Sequence, residues 1–550
     1  MDKPWLASYQ SGIPEEIDPT LYTSLVDLFH QSCDEFKDLP AYVNLNHAIS
    51  FNELRQQSQH IASFLQQQGI KKGDRVAIML PNLLQYPLAI FAILQIGAVV
   101  VNTNPLYTVD ELTNQLQDAE INAIFVLSNL TNLIKGVLTR FSIKTIIVTQ
   151  VADVLPAPKR FIINFLAKYT QGLPKGCSIK GAFTWHCALK DGQKIPYQPI
   201  DINPQDLAFL QYTGGTTGIA KGAMLSHFNM IANVLQAYTW VTPLEINSKD
   251  IVVTALPLYH IFALTANCLT FLKAGAKNIL ITNPRDINGL IKTIKKLHFT
   301  AFTGVNTLFN ALLNNKDFIK IDFSTVKLTL SGGMALQKAV AERWHHETQT
   351  RILEAYGLTE TSPAVTINPM NLTSYNGSIG LPLSSTIVSI RDDNNKSLPT
   401  GDVGEICVFG PQVMRGYWKR EADTKDVFTQ DGFLKTGDLG TMDEAGFIYL
   451  VDRKKELIIV SGFNVYPNEV EQILTQHPDV LEAGVIGIQD DTGNERVKAF
   501  VVKRREDLTA EELISYCRQH LTPYKVPKVI EFRTELPKSN VGKILRRALA

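Results

Sequence analysis

The sequence predicts an α/β fold followed by a smaller α+β unit, and three observations support this. Helical and strand patterns alternate over much of the first 333 residues. This β-α-β rhythm is typical of a parallel sheet covered by helices on both faces. After about residue 380, short strands with turn residues dominate. The last segment mixes helices and strands again, so we expect a small antiparallel β region and then a small α+β domain.

The individual elements follow from the spacing of apolar residues. Residues 51–69 carry apolar side chains at helical spacing and stop at Gly69, which is typical of an amphipathic helix. The β-branched run at 75–80 predicts the next strand. The same reasoning predicts helices over 82–95, from 110, over 467–476 and over 509–520, and strands over 98–102, 123–128, 207–212, 278–283, 299–305 and 327–333.

Length and charge limit the possible classes of protein. The 550 residues exceed what one hydrophobic core holds, about 250–300 residues, so two or more domains are expected. A boundary near Asp452 gives domains 1–451 and 452–550. Lys plus Arg equals Asp plus Glu at 53 each, and this balance predicts no nucleic-acid partner.

Cysteine usage and the absence of a leader predict a cytoplasmic protein. No two of the six cysteines form a CxxC pair, so free thiols in a reducing compartment are expected. The first ten residues contain no apolar run, which indicates no signal peptide. The longest apolar stretch, 88–101, is shorter than the roughly 20 residues that a spanning helix needs.

One segment departs from the neutral average charge. Residues 154–190 contain six Lys or Arg and no Asp or Glu. Within it, helical spacing places five apolar side chains on one face: Phe161, Ile162, Phe165, Leu166 and Tyr169. A basic amphipathic helix of this kind is typical of peripheral contact with an anionic membrane surface, here the inner face. The alternative interpretation is a solvated positive face on an ordinary surface helix.

The most informative segment is YTGGTTGIAKG, residues 212–222. Its four glycines let the backbone expose successive N–H groups to an anion, and three threonines and a lysine add donors. In the Walker A pattern the lysine follows a glycine and precedes Ser or Thr, but Lys221 lies between Ala220 and Gly222. We therefore predict a phosphate loop of another kind. From the loop alone, the alternative is an exposed Gly/Thr turn.

This loop resembles the phosphate-binding signature of the adenylate-forming enzymes, which include acyl-CoA synthetases, luciferase and the adenylation domains of peptide synthetases. Four further blocks match the family in order: YGLTE (356–360), TGDLG (436–440), DRKKELIIVSGFNVYPNEVE (452–471) and PKSNVGKILRR (537–547). Residues 431–458 resemble the fatty-acyl-CoA synthetase signature, and ALPLYHIFAL and GVNTLFNALLNN resemble the bacterial long-chain fatty-acyl-CoA synthetases. The likeness covers essentially the whole chain.

The resemblance implies a fold and a reaction. The large domain is expected to contain two αβ-layered sheets, and the small C-terminal domain to be mobile. The implied reaction joins a long-chain fatty acid to coenzyme A and feeds fatty acid degradation. The carboxylate attacks the α-phosphate of ATP to give acyl-AMP and pyrophosphate, and the coenzyme A thiol then displaces AMP. Mg²⁺ is the implied cofactor, and a homodimer is possible by analogy with family members.

The nucleotide site is assigned through the same resemblance. The loop would hold the phosphates that leave as pyrophosphate, through Thr213, Gly214, Gly215, Thr216, Thr217, Gly218 and Lys221. Glu360 would bind Mg²⁺ and Thr359 the α-phosphate. The rest of the nucleotide would contact Gly332, Gly333, Tyr356, Gly357, Asp438 and Arg453. Without the family match, these residues are also consistent with ordinary turns, a helix N-terminal charge and a surface ion pair.

Lys543, Thr213, Glu360 and His260 are the expected catalytic residues. An ammonium from Lys543 near both the carboxylate and the α-phosphate would stabilise the transition state. His260 would line the carboxylate end of the acyl site. The alternatives are a solvated basic tail for Lys543 and a core histidine for His260.

The second step requires the small domain to turn. Asp452 occupies the family's hinge position, and rotation there would bring Ser461, Gly462 and Phe463 toward coenzyme A. Three other functions stay open: transfer of the acyl group to a carrier-protein thiol or oxidation as in luciferase, a non-catalytic binding protein, and a P-loop kinase. The presence of every motif residue argues against the second, and the loop spacing against the third.

Overall fold

A computed structural model of the chain describes residues 2–169, 176–213, 220–460, 463–489, 495–539 and 542–549. Its α-helices are Leu25–Glu35 (α1), Phe51–Gln67 (α2), Gln85–Gln95 (α3), Val109–Asp118 (α4), Thr131–Val137 (α5), Ala157–Tyr169 (α6), Trp185–Gly192 (α7), His227–Val241 (α8), Phe271–Lys273 (α9), Ile287–Ile294 (α10), Asn306–Leu313 (α11), Lys338–Thr348 (α12), Glu421–Val427 (α13), Pro467–Gln476 (α14) and Ala510–His520 (α15). A π-helix, Ala263–Thr270, runs into α9.

A seven-stranded sheet forms the first layer of the large domain. Its strands, in spatial order, are Phe183–Thr184 (β7), Thr145–Thr149 (β6), Ile121–Leu127 (β5), Arg75–Met79 (β3), Val99–Asn102 (β4), Leu207–Thr213 (β8) and Lys221–Ser226 (β9). The first six strands are parallel, and β9 returns antiparallel to β8. Because β8 and β9 form a hairpin, the glycine-rich segment joins two strands and does not begin a helix.

A nine-stranded sheet forms the second layer. Its strands, in spatial order, are Leu381–Pro382 (β16), Ala364–Ile367 (β15), Ile352–Gly357 (β14), Leu328–Gly332 (β13), Ala301–Gly304 (β12), Ile251–Thr254 (β10), Lys277–Leu280 (β11), Pro40–Asn44 (β1) and His47–Ser50 (β2). The strands from β14 to β1 are parallel, with antiparallel strands at both edges. The Gly332–Gly333 and YGLTE motifs begin in the last residues of β13 and β14 and continue just beyond these strands.

The later part of the chain forms smaller sheets. An antiparallel four-stranded sheet contains Ile387–Arg391 (β17), Gly404–Phe409 (β18), Leu434–Met442 (β19) and Ile448–Arg453 (β20). Beyond it lie the hairpin Ile458–Val460 (β21) and Phe463–Val465 (β22), and a sheet of Val480–Gln489 (β23), Glu495–Lys503 (β24) and Val529–Phe532 (β25). This arrangement of two layered sheets, a small antiparallel region and a small α+β unit confirms the predicted fold.

The buried apolar residues fall into separate cores. The large core runs along the chain from Trp5 to Ile448. A second core runs from Ile458 to Val526. A third, small core joins Phe500, Val502, Leu536 and Leu549. The expected boundary between residues 451 and 452 stays a prediction, and it falls in the gap between the first two cores.

Most predicted elements lie within a few residues of the observed ones. The helix predicted over 82–95 begins only at Gln85, and the reason is the side chain of Asn82. Its amide donates to the carbonyl oxygen of Leu256 at 2.8 Å and accepts from the N–H of Leu258 at 2.8 Å. Asn82 therefore connects the two sheets at a point where the sequence pattern alone indicates a helix.

A buried histidine gives the large domain a predictable response to acid. His227 accepts a hydrogen bond from the N–H of Leu25 on Nδ1, and burial lowers the pKa of its imidazole to about 4 from 6.5. The folded protein therefore resists protonation there, whereas the unfolded chain gains a proton below pH 6.5. The resulting contribution to stability is present above pH 6.5 and is lost as the pH falls toward 4. Its size follows from the shift in pKa, because one pKa unit corresponds to about 1.4 kcal/mol.

We expect His227→Asn, which keeps an acceptor for Leu25, to lower stability at neutral pH but to weaken its dependence on acid. The free energy of unfolding of the wild type should fall by up to about 3 kcal/mol more than that of the variant between pH 6.5 and 4. Urea unfolding at several pH values measures this. Equal losses in the two proteins would contradict the assignment.

Candidate active site

A cavity of about 1970 Å³ lies between the sheets of the large domain, the four-stranded sheet and the C-terminal domain. Eleven of the residues predicted for the site line it: Thr213, Lys221, His260, Gly332, Gly333, Tyr356, Gly357, Thr359, Glu360, Arg453 and Lys543. The structure thus brings together motifs that lie as far apart in sequence as Thr213 and Lys543. Gly214, Gly215, Thr216, Thr217 and Gly218 lie outside the described residues, as do Ser461 and Gly462.

The two ends of the phosphate loop are fixed by strand pairing. Thr213, the last residue of β8, is directly opposite Lys221, the first residue of β9. Tyr212 anchors the approach, since its hydroxyl donates to the carboxylate of Asp118 at 2.7 Å. Arg420 contacts the other oxygen of that carboxylate at 2.9 Å. The two residues that border the loop, Thr213 and Lys221, are therefore anchored in paired strands beside the cavity.

A chain of charged and polar groups leads from Lys221 to Glu360. The Nζ of Lys221 lies 2.5 Å from Asp423 Oδ1 and 5.3 Å from the ring centre of Tyr417. The hydroxyl of Tyr417 donates to Glu360 Oε1 at 2.7 Å. Burial raises the pKa of the Glu360 carboxyl, although the bond from Tyr417 opposes this. A cation, an aromatic ring with a donating hydroxyl, and a carboxylate are thus neighbours in the cavity wall: Lys221, Tyr417 and Glu360.

Tyr356, Asp438 and Arg453 form a second polar group. The hydroxyl of Tyr356 donates to Asp438 Oδ2 at 2.7 Å, and Arg453 Nε lies 3.2 Å from Asp438 Oδ1. Asp438 and Arg453 are paired across β19 and β20, so the backbone fixes their spacing. Asp438 is buried, and its side chain reaches the cavity through Tyr356 and Arg453. Arg453 does form an ion pair, as the alternative interpretation expected. Its partner is Asp438, the predicted ribose ligand, and the pair lies at the cavity.

Lys543 enters this group from the C-terminal domain. It lies in a hairpin in which its carbonyl accepts from the N–H of Ser539 at 2.7 Å. Burial and the nearby Arg453 lower the pKa of the Lys543 ammonium, while Asp438 and Glu456 oppose the shift. The alternative interpretation, a solvated basic tail, does not describe Lys543, whose side chain lines the cavity.

Gly542 permits the close approach of this hairpin to the large domain. Its φ is +84°, and a Cβ there would lie 2.4 Å from Thr307 Oγ1 on α11. Glycine is the residue that tolerates both conditions. The hairpin is consequently inserted against the large domain rather than suspended in solvent.

His260 lines the cavity together with polar and apolar side chains. Its Nδ1 accepts from the N–H of Phe262 at 3.3 Å, and burial lowers the pKa of the imidazole to about 4. A neutral ring at physiological pH can line a site for a carboxyl group but brings no positive charge to it. A further group of lining residues, here called the apolar branch, is mostly apolar: Phe262, Thr265, Ala266, Thr270, Phe271, Ala237, Val241, Leu328, Leu330, Ile367 and Met370.

Backbone surfaces close the remaining wall. A Cβ at Gly332 would lie 3.1 Å from the carbonyl oxygen of Ala355, and one at Gly357 would lie 1.9 Å from that of Pro363. Gly333 has φ +80°. The main chain at these positions therefore forms part of the cavity surface without side chains in the way.

Phe463 is not part of the cavity in this conformation. Its side chain is 56% exposed and stacks on Tyr524, with ring centres 4.8 Å apart. The expected role of this face therefore requires movement of the small domain. Asp452 is buried near the end of β20.

Sequence reasoning did not identify three residues that the structure places here. Tyr417 and Asp423 contact Glu360 and Lys221, and Arg546 binds Asp452 at 3.1 Å. The first two lie in the unremarkable segment RGYWKREADT. Arg546 is one of several basic residues near the end of the chain, and only folding shows which member of such a charged run is buried.

The chain belongs to the AMP-binding enzyme family. Residues 29–418 match that family, and residues 469–543 match the C-terminal domain of AMP-binding enzymes. The chain is 52% identical over 550 residues to the long-chain-fatty-acid–CoA ligase of Escherichia coli O6:H1 (strain CFT073), covering 100% of this chain and 98% of that protein. It is 48% identical to the ligase of the same name from Haemophilus influenzae, with 100% and 98% covered.

Solved structures show the same fold. ATP-bound MatB from Rhodopseudomonas palustris superposes with a TM-score of 0.81 at 29% identity, over 95% of this chain and 98% of that one. The family and the geometry together define the class of protein: the chain is an AMP-binding enzyme, and the cavity that brings its motifs together is the candidate active site.

We expect Tyr356→Phe to weaken ATP binding without unfolding the protein. The variant keeps the aromatic ring but removes the hydrogen bond that orients the Asp438 carboxylate. Loss of a hydrogen bond to a charged group costs about 1.5 kcal/mol or more, so the KM for ATP should rise about tenfold. Tyr449→Phe is the matched control, since its hydroxyl also donates to an aspartate, Asp443, at 3.1 Å. Equal KM values in the two variants would contradict the assignment.

Proposed function

We propose that this chain is an AMP-forming long-chain fatty acid–CoA ligase that activates fatty acids for degradation. The observation that supports this proposal most directly is the position of Lys543. This lysine lines the cavity near Asp438, although Lys543 belongs to the C-terminal domain and Asp438 to the large domain. The names of the relatives that are 48–52% identical over the whole chain support the choice of acid and thiol. The apolar branch offers space for an acyl chain.

In the first half-reaction, the residues of the cavity hold the reactants and balance charge. Thr213 and Lys221 contact the β- and γ-phosphates, together with the glycines and threonines of the loop. Thr359 binds the α-phosphate, while Asp438 accepts the ribose hydroxyls and Tyr356 packs on the adenine. Neutral His260 borders the acyl carboxylate without trapping it in an ion pair. The Lys543 ammonium lies between the carboxylate and the α-phosphate, where negative charge develops.

Glu360 is the proposed protein ligand of Mg²⁺. Among the described residues, no cluster of three or more His, Cys, Asp or Glu side chains forms a complete metal site. Mg²⁺ is commonly held by one or two carboxylates plus substrate phosphates. A single carboxylate lining the cavity near the phosphate loop fits that pattern. The ion would neutralise phosphate charge as pyrophosphate leaves.

The second half-reaction uses the small domain in another orientation. We propose that residues 1–451 stay fixed while residues 452–550 turn about Asp452. The turn withdraws Lys543 and presents the face that contains Ser461, Gly462 and Phe463 to coenzyme A. The exposure of Phe463 in the present conformation is consistent with a surface that awaits a partner. The suggested homodimer remains a prediction from the resemblance.

We expect Lys543→Ala to reduce fatty-acid-dependent exchange of pyrophosphate into ATP by about 100-fold or more, because a preorganised positive charge at the reacting atoms is lost. ATP binding should change little. Lys538→Ala is the matched control, since its ammonium lies in the same hairpin but pairs with Glu482 at 2.5 Å. Unchanged exchange in Lys543→Ala would remove this lysine from the mechanism. Activity with a carrier protein but not with free coenzyme A would contradict the proposed acceptor.

We also propose that α6 brings the enzyme to an anionic lipid surface at the inner face of the membrane. Phe161, Ile162, Phe165 and Leu166 are each 60–66% exposed along one side of this helix. Its opposite side is fixed to the protein, because Asn164 Oδ1 accepts from the N–H of Ala152 at 2.9 Å. The side chain of Tyr169 lies outside the described part of the chain.

The positive charge around α6 favours an anionic lipid surface as the binding partner of its exposed apolar side. Lys159 and Arg160 flank the apolar side, and residues 154–190 contain no Asp or Glu. Insertion of apolar side chains beside basic ones is typical of helices that lie in the membrane interface. None of the helices in the described ranges is long and apolar enough to cross a membrane.

We expect the double change Phe161→Ser and Ile162→Ser to lower binding to phosphatidylglycerol-containing vesicles at least about tenfold, because two apolar side chains no longer enter the lipid. Co-sedimentation with vesicles measures this. Val403→Ser, which changes another apolar side chain that is 45% exposed, should bind like the wild type. Failure of the wild type to bind, or equal binding by the double variant, would contradict the proposal.

A further inference from the structure

The guanidinium of Arg546 lies in a buried network that the mechanism above does not use. Its Nε and Nη2 donate to the two carboxylate oxygens of Glu471, both at 2.8 Å. Its Nη1 donates to Asp452 at 3.1 Å and to Glu456, and its Nη2 donates to Asn468 as well. An arginine has five N–H donors, so these five hydrogen bonds engage all of them. The side chain is only 12% exposed.

The partners of Arg546 come from separate parts of the chain. Glu471 and Asn468 lie on α14, in the first turns of that helix. Asp452 lies near the end of β20, the last strand of the four-stranded sheet. Arg546 itself begins a short helical turn, Arg546–Ala548, three residues after Lys543. One guanidinium thus joins the base of the lysine hairpin, α14 and the predicted hinge.

Asp452 is held by its own strand, β20, and by two residues further along the small domain. Its carboxylate accepts from the N–H of Arg453 at 2.8 Å, from the N–H of Asn468 at 2.7 Å and from Arg546 at 3.1 Å. Its side chain is completely buried. Removal of one partner from a buried ion pair leaves the other charge uncompensated, so the orientation of Asp452 depends strongly on Arg546.

The bonds of Arg546 differ in what domain rotation does to them. Those to Glu456, Asn468 and Glu471 lie within residues 452–550 and persist when this domain turns as a body. The bond to Asp452 joins the moving hairpin to the hinge residue itself. A change in the backbone angles at Asp452 alters this bond, whereas it leaves the bidentate pair with Glu471 intact.

We propose that Arg546 is a positioning residue for the first half-reaction. Through Asp452 it holds the small domain in the orientation that places Lys543 in the cavity, and through Glu471 it fixes the base of the Lys543 hairpin. This inference rests on the proposed function, because it requires two half-reactions with different domain orientations. It assigns Arg546 to adenylation and not to the transfer to coenzyme A.

The test separates the two half-reactions in the full-length enzyme. Arg546→Lys keeps the positive charge but cannot reproduce the bidentate and hinge contacts together. Fatty-acid-dependent pyrophosphate exchange should fall at least about tenfold, while formation of acyl-CoA from supplied acyl-AMP and coenzyme A changes less than about twofold. Asp452→Asn, which weakens the contacts at the hinge but keeps the Arg546–Glu471 pair, should give the same pattern: less exchange and little change in acyl-CoA formation. A purely structural role would lower both rates together.

Arg505→Lys is the matched control. Arg505 also lies in the small domain and contacts three carboxylates, those of Asp479, Asp507 and Glu512, but it is exposed. Both half-reactions of this variant should equal those of the wild type. Equal losses of both rates in Arg546→Lys and Asp452→Asn, or no loss of exchange in either, would overturn the inference. A wild type that forms no acyl-AMP would instead overturn the proposed function, and this inference with it.

Discussion

The arrangement of the site depends on one constraint: a lysine carried by the small domain has to reach a cavity built by the large one. The close approach of Gly542 to Thr307 and the buried group of Tyr356, Asp438 and Arg453 make this possible. Asp438 and Arg453 are paired across β19 and β20. The pair of strands that fixes Asp438, the proposed ribose ligand, therefore also leads directly into the predicted hinge.

Around this point, two charged groups of the cavity already have partners within the protein. Lys221 contacts Asp423, and Glu360 accepts from Tyr417. Such pairs limit the cost of placing charged groups in a partly buried site. Binding of a polyanion can exchange these internal partners for phosphate oxygens and a metal ion. A neutral His260 fits the proposed mechanism, since a charged imidazole would bind an acyl carboxylate as an ion pair and oppose its attack.

Much of the fold was predictable from sequence, because the governing signals are local. Apolar side chains at helical spacing and a terminal glycine predicted α2, and a β-branched run predicted β3. The position of Lys221 excluded a Walker A loop, and the observed β8–β9 hairpin agrees. Long-range pairs gave no such signal. Tyr417 is 57 residues from Glu360, and Asp423 is 202 residues from Lys221. In the sequence, Arg546 cannot be distinguished from the exposed basic residue beside it, and only the fold shows that its side chain is buried.

The central claim is that a fatty carboxylate attacks the α-phosphate of ATP. Incubation of the enzyme with ATP, coenzyme A and a long-chain fatty acid labelled with oxygen-18 in its carboxyl group tests this most directly. The account predicts that AMP carries one labelled oxygen, that pyrophosphate carries none, and that acyl-CoA forms in equal amount. Formation of ADP, or label in a released phosphate, would contradict it.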